Sequence, residues 1–331
     1  MKICIFGAGA VGGHVATRLA NAGHAEVSLV ARGAHLAAIQ AKGLTLNNDA
    51  GESWHARIRQ ATDKPDTLPP QDVVLVTLKA CALPAQAETI GHLLKPGGAA
   101  VFMNNGIPWW WNQGADHDGG QGDGSLPLLD PEGGLWSSVR PDRALGAVVY
   151  SSNEIESPGV ITHRGAKRNR FVLGGPRKLG EAQRTRLAEV EALFKASGLP
   201  AEVPEDLYRE IWHKLLVNTA GNPISALTRL STAQRALDPE LHQVSRGVAT
   251  EIAEIARVMG WPISPDAVTA ALDVGKGLNI RPSMLQDVLL NRPMEVEALL
   301  GQPQRFAREY GILTPYIDVL VPLLRGLDRS N

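Results

Sequence analysis

The chain opens with a short apolar run, Ile3 to Phe6, that breaks into Gly7-Ala8-Gly9-Ala10-Val11-Gly12, after which a helical pattern runs from Val11 to Ala22. A second apolar run over Glu26 to Ala31 completes a strand, glycine turn, helix, strand succession, which predicts a parallel unit. Ala34 to Lys42 reads as a short helix, and two modest strands are expected around Leu44–Leu46 and Trp54–Ile58. Pro65 to Pro70 is a polar connection. From Asp72 to Ala80 the apolar run is almost continuous, the pattern of a strand covered on both faces of a parallel sheet. Lys79 then emerges at its C-terminal end, the side on which such sheets bind ligands. A helix over Ala82 to Leu94 and a strand over Ala99 to Asn104 follow, closing at Asn105-Gly106. Asn105 either faces a ligand or simply favours the turn.

Between Gly106 and Arg143 the periodicity is lost. Trp109, Trp110 and Trp111 precede a Gly/Asp-rich stretch, Gly114 to Gly124, which reads as a mobile loop. The tryptophans then cover an active site, form an interface, or plug the edge of the core. Asp116-His117-Asp118 are neighbours in a flexible stretch and seldom would converge on an ion, so no metal is expected. Leu145–Ser151 and Val160–Arg164 predict strands separated by the turn Ser157-Pro158-Gly159, and Phe171–Leu173 predicts a last one. Glu181 to Ser197 is an amphipathic helix with Leu187, Val190 and Phe194 on one face. After Pro204 only helical patterns continue, so two domains are expected, 1–203 and 204–331.

The glycine turn has a chemical reading. Its first glycine permits a tight turn, its second lets a pyrophosphate approach the backbone, and its third lets helix and strand pack closely. Gly7, Ala8, Gly9, Ala10, Val11 and Gly12 are therefore candidate contacts to a dinucleotide, with the helix N-terminus favouring its phosphates. At the end of the second strand an acid would bind the ribose hydroxyls of NAD, whereas an arginine can pair with the 2′-phosphate of NADP. The residue there is Arg32, so NADP(H) is the expected cofactor.

In the helical half, Glu205 to Ala220 predicts a helix on which Lys214 and Asn218 lie four apart on one face, and Asn222 extends the row if the helix continues. The neighbours Ile211, Trp212, Leu215, Leu216 and Val217 are apolar. Lys214 is either solvated or a buried lysine, and a buried lysine is expensive unless something uses it. Ser283 and Gln286 have the capping-box spacing, and Glu295 with Glu297 suits a first helical turn.

Composition narrows the partner. The 33 basic and 34 acidic residues nearly cancel to a net charge of −1, so no global field points to nucleic acid or an anionic membrane. Two isolated cysteines, Cys4 and Cys81, form neither a disulfide framework nor a metal pair, and no stretch has the length of a membrane span. A small-molecule partner and a reducing cytoplasm are expected; a homodimer is compatible with the sequence.

Taken together, the glycine turn, Thr77-Leu78-Lys79-Ala80, Asn104-Asn105-Gly106, Trp212-His213-Lys214 with Asn218 and Asn222-Pro223, and Ser283-Met284-Leu285-Gln286-Asp287 with Glu295 resemble the ketopantoate reductases in order and over nearly the whole chain. The resemblance implies an α/β N-terminal Rossmann-type doubly wound sheet and an all-helical C-terminal domain like that of 6-phosphogluconate dehydrogenase. It also implies NADPH-dependent reduction of 2-dehydropantoate to pantoate, toward pantothenate and coenzyme A. By the same resemblance Lys214 is the proton donor, and Glu295 orders the substrate hydroxyl, the nicotinamide ribose and the lysine. Asn105, Asn218, Asn222 and Ser283 hold the 2-oxo acid, and Asn105 and Lys79 lie on the cofactor side. Two departures stand out: Thr232 occupies the place of a further substrate-binding asparagine, and the 107–143 segment is longer than the family norm. They leave room for a different 2-oxo acid or a bulkier ketone; a non-catalytic NADP(H)-binding regulator is the remaining alternative.

Overall fold

The computed structural model describes residues 1–114, 124–165, 169–274, 276 and 279–330. The chain divides into two units, one of residues 1–78, 82–104 and 108–207, the other of residues 79–81, 105–107 and 208 onward.

In the first unit β1 (Lys2–Phe6), α1 (Ala10–Ala22) and β2 (Glu26–Val30) form the opening succession. α2 (Gly33–Lys42), β3 (Leu44–Asn48), β4 (Ser53–Ala56), β5 (Gln60–Thr62), β6 (Gln71–Val76), α3 (Ala87–Leu93) and β7 (Leu94–Phe102) follow. β8 (Ala144–Tyr150), β9 (Ser152–Ser157), β10 (Val160–Arg164), β11 (Arg170–Gly174), α4 (Glu181–Ala196) and β12 (Ala201–Glu202) complete it. The main sheet has the order β12-β11-β8-β7-β6-β1-β2-β5. All its pairs are parallel except β8 with β11. The chain moves outward from β1 to β2 and β5, then returns to build β6, β7 and β8 on the other side. The glycine turn thus leaves β1 where the winding reverses, the place at which open α/β sheets bind ligands.

The apolar runs are explained by this packing. Val73 to Val76 of β6 are all 0% exposed, because both faces of a central parallel strand are covered. Ile3, Ile5, Leu29, Val73 and Leu75 form a core with Val15 and Leu19 of α1 and with Val190 and Phe194 of α4. A second sheet, β4-β3-β10-β9, lies against α1 so closely that a Cβ on Gly13 would stand 2.8 Å from Ile161.

Several expectations are corrected. β6 stops at Val76, where the Thr77 hydroxyl turns to donate to the Gly7 carbonyl, so Lys79 lies three residues beyond the strand. The helix expected over Ala82–Leu94 is two 3-10 turns followed by α3, with Pro84, which has no backbone donor, opening the second turn. The short strands β5, β9 and β12 were not anticipated: each is short or largely exposed and takes its place from a neighbouring strand rather than from a strong apolar pattern.

Of the three roles left open for the tryptophans, the structure selects the core. Trp109, Trp110 and Trp111 are 2%, 1% and 0% exposed and belong to the core, not to a cover. Trp109 packs edge-to-face on Phe102 and Trp136, at ring distances of 5.5 and 6.2 Å. Trp110 fills the space above Gly146, where a Cβ would approach its ring to 2.7 Å. The described residues that follow form a π-helical turn at Leu135–Val139 and a 3-10 turn at Pro141–Arg143, while residues 115–123 of the expected mobile loop lie outside the described residues. Asp130 organises the π-helical turn by accepting bonds from the amides of Leu135 and Trp136. Asp116, His117 and Asp118 lie outside the described residues.

The second unit is helical: α5 (Leu207–Thr228), α6 (Thr232–Leu237), α7 (Pro239–Val258), α8 (Pro265–Asp273), α9 (Ser283–Leu289), a π-helical turn at Glu297–Gly301, α10 (Gln302–Glu309) and α11 (Pro315–Ser330). Its ends are capped by side chains. Asp238 accepts from the amides of Glu240 and Leu241 at the start of α7, and buried Glu251 accepts from those of Tyr316 and Ile317 at the start of α11. Among the described residues no helix is long and apolar enough to cross a membrane.

Replacing Trp110 by alanine is expected to destabilise the first unit by about 3–5 kcal/mol, as for other large-to-small core changes. For a domain of this size that lowers the melting temperature by roughly 6–20 °C, and a thermal scan with an unchanged midpoint would contradict a core role.

Candidate active site

In the first unit the glycine turn has the geometry its residues suggested. Gly7 adopts φ +110°, a conformation costly to any residue with a Cβ. A Cβ at Gly12 would lie 2.0 Å from the Gly7 carbonyl oxygen, so the third glycine is what allows helix and turn to touch. Gly9 differs, because a Cβ there would meet nothing within 4 Å. Its backbone borders open space, as an approaching pyrophosphate requires. The amides of Gly7 and Ala8 donate to the Val30 carbonyl, and the first bond of the helix runs from Gly13 to Gly9. The amides of Ala10, Val11 and Gly12 precede that bond and open the N-terminus toward an anion. Arg32 follows β2 as the residue capping α2 and is exposed. These residues fit a dinucleotide.

The second unit carries the polar row. α5 runs unbroken through Pro223, so Lys214, Asn218 and Asn222 share one helix at four-residue spacing. Trp212, Leu215 and Leu216 are at most 1% exposed, which anchors the helix and keeps the row over an apolar bed. Asn222 is itself 9% exposed. Burial pulls the Lys214 ammonium down to about 8, while the negative charge of Glu295 works against the fall. Lys214 thus falls between the two readings: the residue is half-buried, with its ammonium largely withdrawn from water.

Glu295, 7% exposed, is held at both oxygens. The Ala80 amide donates to Oε1 at 3.0 Å and the Asn105 side-chain amide donates to Oε2 at 2.9 Å. Both donors come from the short segments 79–81 and 105–107 that belong to this unit. Gly106 is needed for the approach: its φ is +86°, and a Cβ would stand 2.4 Å from the Ala298 carbonyl oxygen. The Ile107 amide donates to that same carbonyl at 2.8 Å. Glu295 does not sit inside a helix; its carbonyl accepts from the Leu299 amide, and the π-helical turn begins two residues later. Its companion Glu297 is bound instead by Arg325 through two bonds of 2.7 and 2.6 Å.

Lys79 extends its ammonium to Asp287 at 2.5 Å and to the Pro293 carbonyl at 2.9 Å. The structure therefore brings Lys79, Asn105, Lys214 and Glu295 into one unit, with Asn218 and Asn222 on the lysine helix. Ser283 is the first residue of α9 and exposed; Pro282 occupies the capping position, and Gln286 donates to the Arg281 carbonyl, so the expected capping box is absent. Thr232 is tied to Ile280, its amide and hydroxyl contacting the Ile280 backbone at 2.9 and 3.2 Å.

Two residues escaped the sequence reading. Asp287 was visible only as part of a motif, with nothing to indicate its partner. Arg235, 2% exposed, donates to Ser245 and to the Ala220 carbonyl and packs over Gly221, next to Asn222. Its only trace in the sequence is the absence of a side chain at Gly221, which is one turn removed from the lysine row.

The family model for ketopantoate reductase PanE/ApbA matches residues 3–109, and that for the ketopantoate reductase PanE/ApbA C terminal matches 206–328. The chain is 42% identical to a 2-dehydropantoate 2-reductase of Mesorhizobium japonicum, over 99% of this chain and 98% of that one. It is similar to a solved candidate ketopantoate reductase from Ralstonia solanacearum MolK2, with a TM-score of 0.87 and 36% identity over 100% of this chain and 98% of the other. At 22% identity and a TM-score of 0.83, the fold also extends to a D-mandelate dehydrogenase solved with NADH and anilino(oxo)acetate, covering 100% of this chain and 99% of that one. With an α/β unit of mainly parallel strands, a helical unit carrying Lys214 and Glu295, and these matches across its length, the chain belongs to the ketopantoate reductase family of oxidoreductases.

Proposed function

We propose that this chain reduces 2-dehydropantoate to pantoate with NADPH, in the cytoplasm and toward pantothenate and coenzyme A. The observation that carries the proposal is Lys214, an ammonium pulled toward neutrality by burial and opposed by a carboxylate fixed at both oxygens. Such a group is matched to giving up a proton near neutral pH. Bound NADPH supplies the hydride for the carbonyl carbon. Lys214 supplies the proton to the carbonyl oxygen as negative charge develops there, and regains one from solvent afterwards. Glu295 keeps that lysine charged before transfer and accepts a hydrogen bond from the substrate hydroxyl. Asn218, Asn222 and Ser283 orient the substrate, with Ser283 toward its carboxylate. Gly7 to Gly12 receive the pyrophosphate, Arg32 pairs with the 2′-phosphate, and Asn105 and Lys79 complete the cofactor side.

A second reading keeps the chemistry and changes the substrate to another branched 2-oxo acid or a bulkier ketone. It is favoured by Thr232, which stands where the family places an asparagine and spends its hydroxyl and amide on Ile280. A panel of 2-oxo acids followed by NADPH absorbance separates the readings: kcat/KM highest for 2-dehydropantoate supports the first, and a much higher value for another compound supports the second.

Lys214→Ala is expected to lower kcat by about 10² to 10⁴, the usual scale of general acid catalysis, with NADPH binding retained in a fluorescence titration. Unchanged turnover would remove Lys214 from the chemistry. Because the proton must be present on Lys214, kcat/KM for reduction should be level below pH 8 and fall as pH rises through about 8. A rate that climbs across that range would reverse the assignment of acid and base. For Arg32, NADPH should be preferred to NADH, and Arg32→Ala should raise KM for NADPH with little effect on NADH; equal use of both by the native enzyme would refute the phosphate contact.

A further inference from the structure

Asp287 lies in the last turn of α9, 8% exposed, and has no part in the chemistry described above. We propose that Asp287 is a positioning residue which, through Lys79, holds the segment that fixes the Glu295 carboxylate acting on Lys214. The inference rests on the proton-donor reading of Lys214.

The connections form a closed path. Asp287 Oδ1 meets the Lys79 ammonium at 2.5 Å, and the same ammonium donates to the Pro293 carbonyl at 2.9 Å. Pro293 is two residues from Glu295. The residue after Lys79, Ala80, gives its amide to Glu295 Oε1 at 3.0 Å. One dipeptide therefore clamps the main chain at 293 with a side chain and the carboxylate at 295 with a backbone donor. Asp287 also ties the return of the chain, its carbonyl accepting from the Arg292 amide at 2.8 Å across Asn291, which adopts φ +48°. The Met294 amide is held from α11 by Asp328 at 2.7 Å, so the residue directly before Glu295 is fixed as well.

The carboxylate at 287 is what keeps Lys79 in this place. The lysine side chain is 33% exposed, and its long stem would otherwise be free to turn its charge to water. The pair is poorly suited to serve stability alone. Burial pushes the Asp287 carboxyl up to about 6 despite the ammonium beside it; Glu295 adds to the rise and Arg292 opposes it. A pair that pays this desolvation is better explained by the geometry it imposes than by the energy it adds.

The test uses the alkaline limb of the pH–rate profile, which reports Lys214. Glu295 raises the affinity of Lys214 for its proton, so a displaced Glu295 moves the limb to lower pH. Asp287→Ala and Lys79→Met in the full-length enzyme should both move it that way and lower kcat by about tenfold or more, a scale reached by small misplacements of catalytic groups. The two variants together discriminate: direct charge effects on Lys214 would move the limb in opposite directions, because one removes an anion and the other a cation. Opposite movements, an unmoved limb, or an effect confined to KM for NADPH would overturn the proposal. If Asp287→Ala does not fold, as judged by circular dichroism, Asp287→Asn keeps the shape without the charge and is read by the same criteria. Should Lys214→Ala retain turnover, the proton-donor reading falls and this inference with it. Should Lys214→Ala lose turnover while the Asp287 and Lys79 variants leave the limb in place, only the role of Asp287 falls.

Discussion

An ammonium withdrawn from water has to be compensated, and the half-buried Lys214 imposes that requirement on the helical unit. Lys214 stands on α5 among Trp212, Leu215 and Leu216, where burial weakens its hold on a proton, and the countercharge is Glu295 from a distant part of the chain. A countercharge that could turn away would leave the lysine holding its proton less tightly. Glu295 cannot do so easily, because one oxygen is bound by a backbone amide and the other by Asn105. The donors come from two short segments that follow β6 and β7 in the chain, and Gly106 lets one of them approach to within contact of Ala298. The chemistry proposed for this enzyme therefore depends on a hydrogen-bond geometry as much as on a charge.

The first unit solves a different problem with backbone alone. Its glycine turn uses three glycines for three purposes: a positive φ at Gly7, open space at Gly9 and a close approach at Gly12. Only the second is about a ligand. The other two serve the packing of α1 on β1, which is why the motif by itself announces a phosphate site and is silent about the reaction. The buried tryptophans make a similar point about composition. Three adjacent indoles beside a glycine-rich stretch left a cover, an interface and a core plug open, and Trp110 fills the space over Gly146 while Trp109 packs against Phe102.

Local pattern was sufficient for the elements whose burial is uniform or strictly periodic. β1, α1, β2, α4 and the lysine helix could be read from the chain because each carries its own apolar face, and the order of β1, α1 and β2 was enough for the dinucleotide turn. The spacing of Lys214, Asn218 and Asn222 could be read as well, since a helix converts four residues into one face regardless of its surroundings. Resemblance to the ketopantoate reductases then named Glu295 and Asn105 without saying how they meet.

What the tertiary structure alone decided is everything that depends on a partner remote in sequence. The strands β5, β9 and β12 exist because a neighbour offers an edge, the tryptophans are core because Gly146 leaves them room, and Ser283 forgoes its cap because Pro282 takes the position. The pairing of Asp287 with Lys79 spans more than two hundred residues, and no periodicity encodes such a distance. A sequence states which side chains a helix or strand presents together, because that follows from backbone repeat. It does not state which of them lose their water or which donor each acid receives, and in this protein those two facts turn a lysine on a helix into a candidate acid.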